Sequence, residues 1–542
     1  MKRHRLWAMA LLGVIALATP AQAKTVEYNL VIERQPVNIT GKSIEKITVN
    51  GGIPAPVLRF KDGDEAVIHV TNKMDQDSSI HWHGLLLPGE MDGVPGFNGF
   101  PGIPAGETFT YRFPLRQTGT YWYHAHSGGQ EQEGLYGAMI VDPSGTDPIR
   151  TDRDYVIVLS DFSEEPWDDI IANLKKSADY YAYNRVTLVD FFKDAEERGL
   201  GKAWKDAKDW GQMRMMRTDL ADVSGYTFLV NGKSPTQNWT GLFKSGERVR
   251  LRFVNASAMS FFDVRIPGLK MNVLQSDGQN TEPLKVDEFR FAPAETYDVV
   301  VTPQDDKAYT IVAEPIDRTG FALGTLAPRE GMKGEVPEQR ERALLTMGDM
   351  GMHDMDGMEM TPEDMISGWK KSGTPPGHKM LDYADLRYAG IQKDTREPER
   401  TIDVRLGGNM ERYIWTMNGK KFSEQTEPIR LKYGERARLT FTNETMMAHP
   451  MHLHGMFVQL ENGQPAEKLP NKHTVIVEPG KSYSVLVTAD EPGEWAFHCH
   501  LLYHMMSGMM TKVVVAKFDD ADMPSNPAQQ QSSTKGGSYA NH

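Results

Sequence analysis

The sequence predicts an all-β protein built from three related β-sandwiches, with a helical excursion in the middle one. Three observations predict it. After the first two dozen residues, apolar and polar positions alternate between Gly, Pro, Asn and Asp turns, the mark of half-buried antiparallel strands. A long motif then occurs three times: ITVNGGIPAPVLRFKDGDEAVIHVTNKM at 47–74, FLVNGKSPTQNWTGLFKSGERVRLRFVNAS at 228–257 and IWTMNGKKFSEQTEPIRLKYGERARLTFTNET at 414–445. A shorter motif closes each unit: GTYWYHAH at 119–126, KAYTIVAE at 307–314 and GEWAFHCH at 493–500. Recurrence of this kind signals one structural unit used three times.

Taken in order, residues 1–23 read as an export signal. Lys2, Arg3 and Arg5 precede an apolar run at 6–18 and the small-x-small site Ala21-Gln22-Ala23, giving a mature start at Lys24. The apolar run is too short to span a bilayer, so no membrane span is expected once the signal is removed. The first unit occupies 24–150, the second 151–330 and the third 385–516. Each long repeat carries Asn-Gly, a turn at Gly63, Gly246 or Gly434 followed by an acidic residue, and a strand ending in Asn72, Asn255 or Asn443.

Within the second unit, 168–222 breaks the β pattern. The stretch 189–208 is charged, with Phe191, Phe192, Ala195 and Leu200 as scattered apolar points, which suits surface helices that decorate the unit or cover a substrate entrance. Residues 331–384 form a linker whose segment 346–365, TMGDMGMHDMDGMEMTPEDM, mixes methionines with acids. Its Gly, Asp and Pro residues break every period, so it is expected to stay out of the core. It is either a plain connector or a copper-collecting loop, because thioethers select Cu(I); the ligands would be Met347, Met350, Met352, His353, Met355, Met358 and Met360. The tail 517–542 is polar and expected to be disordered.

Bulk composition narrows the function. At 542 residues the chain is long enough for roughly three to four domains. A net charge of −13 argues against a nucleic-acid partner. The single cysteine, Cys499, excludes an internal disulfide, and its two flanking histidines mark it as a metal ligand rather than a small buried hydrophobe. An export signal, abundant methionine and unpaired cysteine together point to a bacterial periplasm.

The chemistry sits in four stretches: HWHG at 81–84, HAHSG at 124–128, HPMHLHG at 449–455 and HCHLLYHMMSGMM at 498–510. Residues two apart on a strand face one side, and neighbours face opposite sides. His498 and His500 therefore point one way and Cys499 the other, so that one tripeptide links two metal centres. By the same geometry His81 pairs with His83, His124 with His126, and His452 with His454. Four pairs supply eight imidazoles, enough for a three-copper cluster at the boundary of the first and third units. Cys499, His449, His504 and Met509 remain for a single blue copper, which takes thiolate, imidazoles and a weak axial thioether. The second unit carries no ligand and acts as a spacer.

These motifs resemble the multicopper oxidases, and the bacterial copper-resistance oxidases of the copper resistance protein A (CopA/PcoA) type in particular. The resemblance runs across nearly the whole mature chain, through ITVNGGIPAPVLRF, HWHGLLLPGEMDGVPG, GTYWYHAHSGGQEQEGLYGAMIVD, DLADVSGYTFLVNG, AMSFFDVRIPGLKM, AETYDVVV, DRTGFALGTLA, MMAHPMHLHGMF and HCHLLYHMMSGM. It implies cupredoxin-like Greek-key sandwiches and four copper ions. His449, Cys499, His504 and Met509 would hold the type 1 copper. His81 and His452 would hold type 2, and His83, His124, His126, His454, His498 and His500 the type 3 pair. Asp92 matches a family acid near the type 2 copper. Two departures stand out. Met505 occupies the place where some cuprous oxidases carry a proton-donating acid, and His4 interrupts what would be a twin-arginine signal.

The expected activity is oxidation of a one-electron donor at type 1 copper coupled to reduction of O2 to water, with redox metal rather than acid–base groups carrying the chemistry. Cu(I) is the expected donor, in copper resistance, with a small organic reductant in a laccase-like alternative. A third reading, from a different class, is a methionine-rich copper-sequestering protein. The expected partners are O2, the reductant and a periplasmic copper chaperone, and the expected state is a monomer. Outside the motifs, His69 and His473 read as satisfied strand residues and His378 as solvated.

Overall fold

Three Asn-Gly pairs make the same hairpin three times. Asn50, Asn231 and Asn418 lie at φ 53°, 51° and 53°, and the following Gly51, Gly232 and Gly419 at 76°, 74° and 75°. Two successive left-handed residues are what a tight hairpin matching the strand twist demands. Each asparagine Oδ1 also accepts a backbone N–H from the adjoining strand: Val31 at 2.7 Å, Val158 at 2.7 Å and Arg405 at 2.8 Å. The computed structural model of the chain describes residues 24–517, apart from 184, 214–215 and 351–366. The export signal at 1–23 and nearly all of the polar tail lie outside the described residues.

The second recurring asparagine makes a corner. Asn72, Asn255 and Asn443 end the strands Glu65–Asn72, Val249–Asn255 and Arg436–Asn443, with their side chains buried. Their amides donate to carbonyls of the chain they turn: Gln76 and Ile103 at 2.8 and 2.9 Å, Ser260 and Phe291 at 2.9 and 3.0 Å, and Met447, Val477 and Glu478 at 2.6, 3.2 and 3.0 Å. Their Oδ1 atoms accept from the backbone N–H two residues on, at 2.9–3.0 Å. Each corner launches a core strand, His81–His83, Phe262–Arg265 or His449–Leu453. The repeat is thus a device for aiming the next strand, and in the outer two units that strand carries histidines.

The strands form three pairs of sheets, with 4 and 4, 6 and 6, and 6 and 5 strands in chain order. In each unit the opening strand pairs in parallel with the strand of the long repeat: Thr25–Asn38 with Glu65–Asn72, Arg153–Phe162 with Val249–Asn255, Arg400–Asn409 with Arg436–Asn443. Parallel neighbours require crossovers, so these are sandwiches of Greek-key type rather than simple meanders. The first unit keeps its own apolar core, while those of the second and third merge into one.

The helical excursion forms as the sequence predicts. Helices occupy Trp167–Lys176, Leu188–Arg198 and Leu200–Met213. Thr187 caps the second by accepting from the Asp190 N–H, and Leu188, Val189, Phe192, Leu200 and Trp204 remain exposed.

The methionine-rich segment needs a correction at its start. Met347 is buried and packs in the merged core, contrary to the expectation that 346–365 avoids it. The cause is Asp349, whose buried carboxylate accepts from the Thr346 and Gly368 N–H groups at 2.8 and 2.7 Å and clamps the two ends of the segment together. The Met350 side chain, Met352, His353, Met355, Met358 and Met360 lie outside the described residues.

Candidate metal centre

Two short ladders carry the ligand stretches. His81–His83 pairs antiparallel with Gly119–His124, placing His81 opposite His124. In the third unit His449–Leu453 pairs with Gly493–Cys499, placing His452 opposite His498 and Met451 opposite Cys499. Strand alternation then sorts the side chains by face, as the sequence predicts.

On one face, four histidines from the first unit meet four from the third. The rings of His83 and His452 stack at 3.7 Å, and those of His81 and His454 lie 3.9 Å apart. His498 Nε2 is 3.0 Å from His454 Nε2 and 3.4 Å from His126 Nε2, and the His124 and His500 rings are 5.1 Å apart. On the other face, Cys499 Sγ lies 3.5 Å from His449 Nδ1 and 3.8 Å from His504 Nδ1. Met509 is fully buried beside them, with its carbonyl accepting the Cys499 N–H at 3.0 Å.

The donor set fits copper. The Nε2 atoms of His81, His83, His124, His452 and His500 are buried with no partner in the protein. Each such orphan costs about 1–3 kcal/mol, so five in one place mark a site completed by something else. The opposite nitrogens of His81, His124 and His452 are occupied, as is that of His454, while His83 Nδ1 is unpartnered too. His81 Nδ1 donates to the Asp92 carbonyl at 2.8 Å, His452 Nδ1 to the His473 carbonyl at 2.6 Å, His454 Nδ1 to Asp92 Oδ2 at 2.8 Å and His124 Nδ1 to Glu131 at 2.7 Å. With Nδ1 donating, the lone pair is on Nε2 and faces the cluster. Neutral imidazoles with one thiolate are donors that copper accepts.

Burial is the main force on these groups. It drives His83, His124, His126, His449, His452, His454 and His500 well below the ordinary imidazole range, and His498 down to about 3. It pushes the Cys499 thiol up, so that a bound cation is needed to hold the thiolate. Unfolded, imidazoles take protons near about 6.5. The copper-free unfolded chain therefore binds more protons than the folded one below that value, and stability falls as pH drops from about 6.5 toward the folded values. The urea midpoint of copper-free protein is expected to be level above pH ~7 and to fall steadily between pH ~6.5 and ~5, before most carboxylates titrate. A midpoint unchanged across that interval would contradict the buried, neutral cluster.

Two carboxylates around the site were given no role from the sequence, and one histidine was given another. Asp222, the last residue of the 168–222 excursion, is buried and accepts from His504 Nε2 and from the Tyr413 hydroxyl, both at 2.6 Å. The excursion thus ends on the histidine beside Cys499, while Trp415 stacks on the same ring at 3.8 Å. Glu131 is buried against His124, with burial holding its carboxyl well above the usual range. His473 corrects the expectation of a satisfied strand residue: it lies between two short strands, and its buried Nε2 has no partner. His69 is satisfied as expected, by Thr110 at 2.8 Å and Glu27 at 3.0 Å. A cavity of about 600 Å³ between the first and third units reaches His126, and Met505 lines it with Val94, Phe97, Lys421 and Met510.

Three stretches, 31–146, 183–330 and 395–519, match family patterns described as multicopper oxidase. The chain is 44% identical to copper resistance protein A of Escherichia coli, covering 94% of this chain and 96% of that protein. The chain belongs to the multicopper oxidases. This oxidase is also 45% identical to a copper resistance protein A homolog of Pseudomonas syringae pv. tomato, over 92% of this chain and 94% of the relative. Its fold is similar to the crystal structure of a multicopper oxidase from Pseudomonas thermotolerans, with a TM-score of 0.63 and 21% identity over 91% of this chain and 100% of that one. It is accordingly a copper-dependent oxidoreductase with dioxygen as acceptor.

Proposed function

We propose that this oxidase converts Cu(I) to Cu(II) in the bacterial periplasm as part of copper resistance: 4 Cu⁺ + O2 + 4 H⁺ → 4 Cu²⁺ + 2 H2O. The reading rests above all on one strand end, where Cys499 faces His449 and His504 while His498 and His500 join the eight-histidine cluster. His449, Cys499, His504 and Met509 are the type 1 ligands, and His81 and His452 the type 2 ligands. His83, His124, His126, His454, His498 and His500 hold the type 3 pair. Copper, when bound, supplies one-electron oxidation at the first set and multi-electron reduction of O2 at the second.

The chain's own residues prepare this chemistry. The His498-Cys499-His500 backbone joins the two sets covalently, so electrons need no mobile carrier. Asp222 fixes the His504 ring and places negative charge against it, which suits a cationic donor. Asp92 touches His454 and stands 3.3 Å from His81 Nδ1, where it can hold a proton beside the cluster. Met505, where an acid would otherwise stand, holds none, so Asp92 carries more of that duty.

Two observations support Cu(I) as donor. Both relatives quoted above are named for copper resistance. The anchored base of the methionine-rich segment also sits close to the type 1 loop: the Gly348 carbonyl accepts from Lys481 Nζ at 3.0 Å, and the adjacent Gly480 N–H donates to Thr445. Thr445 in turn holds His449 Nε2 at 2.7 Å.

The test is O2 consumption by copper-loaded protein with Cu(I) and with a phenol. Removing 351–366, which spares Met347 and the Asp349 clamp, is expected to lower cuprous turnover at least about tenfold and phenol turnover less than about twofold, given thioether selectivity for Cu(I). Equal losses would remove the copper-delivery role. Phenol turnover with negligible cuprous activity would establish the laccase-like alternative instead.

A further inference from the structure

We propose that Asp277, from the unit without ligands, positions His452 and strengthens it as a copper ligand through the single peptide group between them. The inference rests on the copper reading above and adds a positioning residue to it.

Asp277 stands at the tip of a hairpin. The tip joins the antiparallel strands Met271–Ser276 and Gln279–Val286 of the second unit. Asp277 lies at φ 49° and Gly278 at φ 73°, the two left-handed residues that such a turn demands. The tip is wedged between the other two units. On one side Gly278 packs against Tyr121, and Gly119 against the Gly278 carbonyl, so closely that neither glycine could carry a Cβ. Both partners belong to the strand Gly119–His124, which ends in a cluster ligand. Gln279 Nε2 donates to the Tyr121 hydroxyl at 3.2 Å, and Gln279 Oε1 accepts from Asn471 of the third unit at 3.4 Å. On the other side Asp277 Oδ2 accepts the N–H groups of His473 and Thr474 at 3.0 and 3.1 Å. It also stands 3.1 Å from Lys472 Nζ, and both side chains are completely buried. Asp277 Oδ1 takes the Thr296 N–H at 3.1 Å, which ties the carboxylate back to its own unit.

One peptide group links this carboxylate to a copper ligand. The Thr474 N–H and the His473 carbonyl belong to the same planar unit and point to opposite sides of it. The N–H donates to Asp277, and the carbonyl accepts from His452 Nδ1 at 2.6 Å. Strand pairing sets Thr474 opposite His452, so the peptide faces the ligand it holds. The carboxylate's charge draws on the amide proton and makes the carbonyl oxygen a stronger acceptor, since bonds in a chain polarise one another. His452 Nε2, buried with no partner in the protein, gains basicity in consequence. The result is a carboxylate–histidine–metal series with one peptide inserted. A carboxylate serving only to join two units could take any N–H of the third. This one takes the N–H whose own carbonyl holds a cluster ligand, so the unit without ligands reaches the cluster through its backbone neighbour.

The test uses the full mature chain loaded with copper. Asp277→Asn keeps the shape of the side chain and removes its charge. It should keep the blue absorption but shift the paramagnetic resonance of the resting copper other than the blue one. It should also lose one cluster copper to a chelator at least about tenfold faster, as when a ligand's outer partner is removed. Glu295 Oε1 lies 2.8 Å from the same Lys472 but touches neither side of the peptide. Glu295→Gln should therefore keep the parent's resonance and lose copper within about twofold of the parent's rate. An unchanged resonance in Asp277→Asn, or the same change in both variants, overturns the inference. Coupling is reciprocal, so in the parent the Thr474 amide should exchange with solvent at least about tenfold more slowly once copper is bound. Amides of Thr25–Asn38 should stay within about twofold. A Thr474 amide indifferent to copper overturns the inference even where Asp277→Asn does not fold, and leaves the ten-histidine reading intact. A parent chain that takes up neither blue nor cluster copper overturns both.

Discussion

Cys499→Ser is expected to leave a folded protein that has no blue colour and consumes no dioxygen with Cu(I) or with a phenol. The substitution is close to isosteric, and Cys499 is fully buried on a regular strand opposite Met451, so the fold has little reason to respond. The hydroxyl is a hard, weakly acidic donor where the type 1 set needs a soft thiolate. It also breaks the covalent path, since the atom facing His449 and His504 is the one that starts the route through the backbone to His498 and His500. Turnover should fall at least about a thousandfold, beyond the roughly ten- to hundredfold that follows loss of an outer-shell partner. The eight-histidine face is untouched, so the variant should still bind cluster copper. Residual turnover above a tenth of the parent's would show that electrons reach the cluster without Cys499. Copper tolerance that survived the change in cells would favour sequestration over catalysis.

The sequence made the fold and the ten histidines legible because both are written in short-range periodicity. Strand alternation, the Asn-Gly turns and the corner asparagines recur locally, and the i, i+2 spacing of the histidines states which face each occupies. What surrounds those ligands is not local. Asp222 bonds a histidine 282 residues away, and nothing in DLADVSGYTF distinguishes that carboxylate from a surface one. Glu131 had a nearby signal, following HAHSGG within a few residues, but its neighbours include Glu133, whose partners are Lys46 and Arg34. His473 stood alone in a strand-like stretch, where a satisfied histidine is the ordinary outcome, and only its buried, unpartnered Nε2 near the rings of His83 and His452 shows otherwise. Met347 is the reverse case. Composition argued for an exposed loop, and one carboxylate, Asp349, gathered enough backbone N–H groups to draw the first residues inward.

Asp92→Asn is expected to slow dioxygen consumption about ten- to hundredfold while leaving the blue site and its reduction by Cu(I) within about twofold of the parent. Asp92 closes the turn Gly89–Met91, and its turn lies hard against the strand bearing His81, since a Cβ at Gly93 would come within 1.8 Å of the Ile80 carbonyl. From there its Oδ2 reaches across the unit interface to His454 Nδ1 at 2.8 Å, while its carbonyl takes His81 Nδ1 at 2.8 Å. Its Oδ1 is buried 3.3 Å from His81 Nδ1 with no hydrogen bond of its own. Asparagine keeps the shape and can still accept from His454 through its carbonyl oxygen, but it can neither carry a proton nor supply the charge. Asp92→Ala removes the orientation as well and should also lower cluster copper content, which separates the two duties. Stopped-flow bleaching and recovery of the blue band makes the distinction directly: in Asp92→Asn bleaching by Cu(I) stays fast and recovery on mixing with O2 slows. Recovery as fast as the parent's would assign Asp92 to orientation alone and send the search for the proton donor to Glu131.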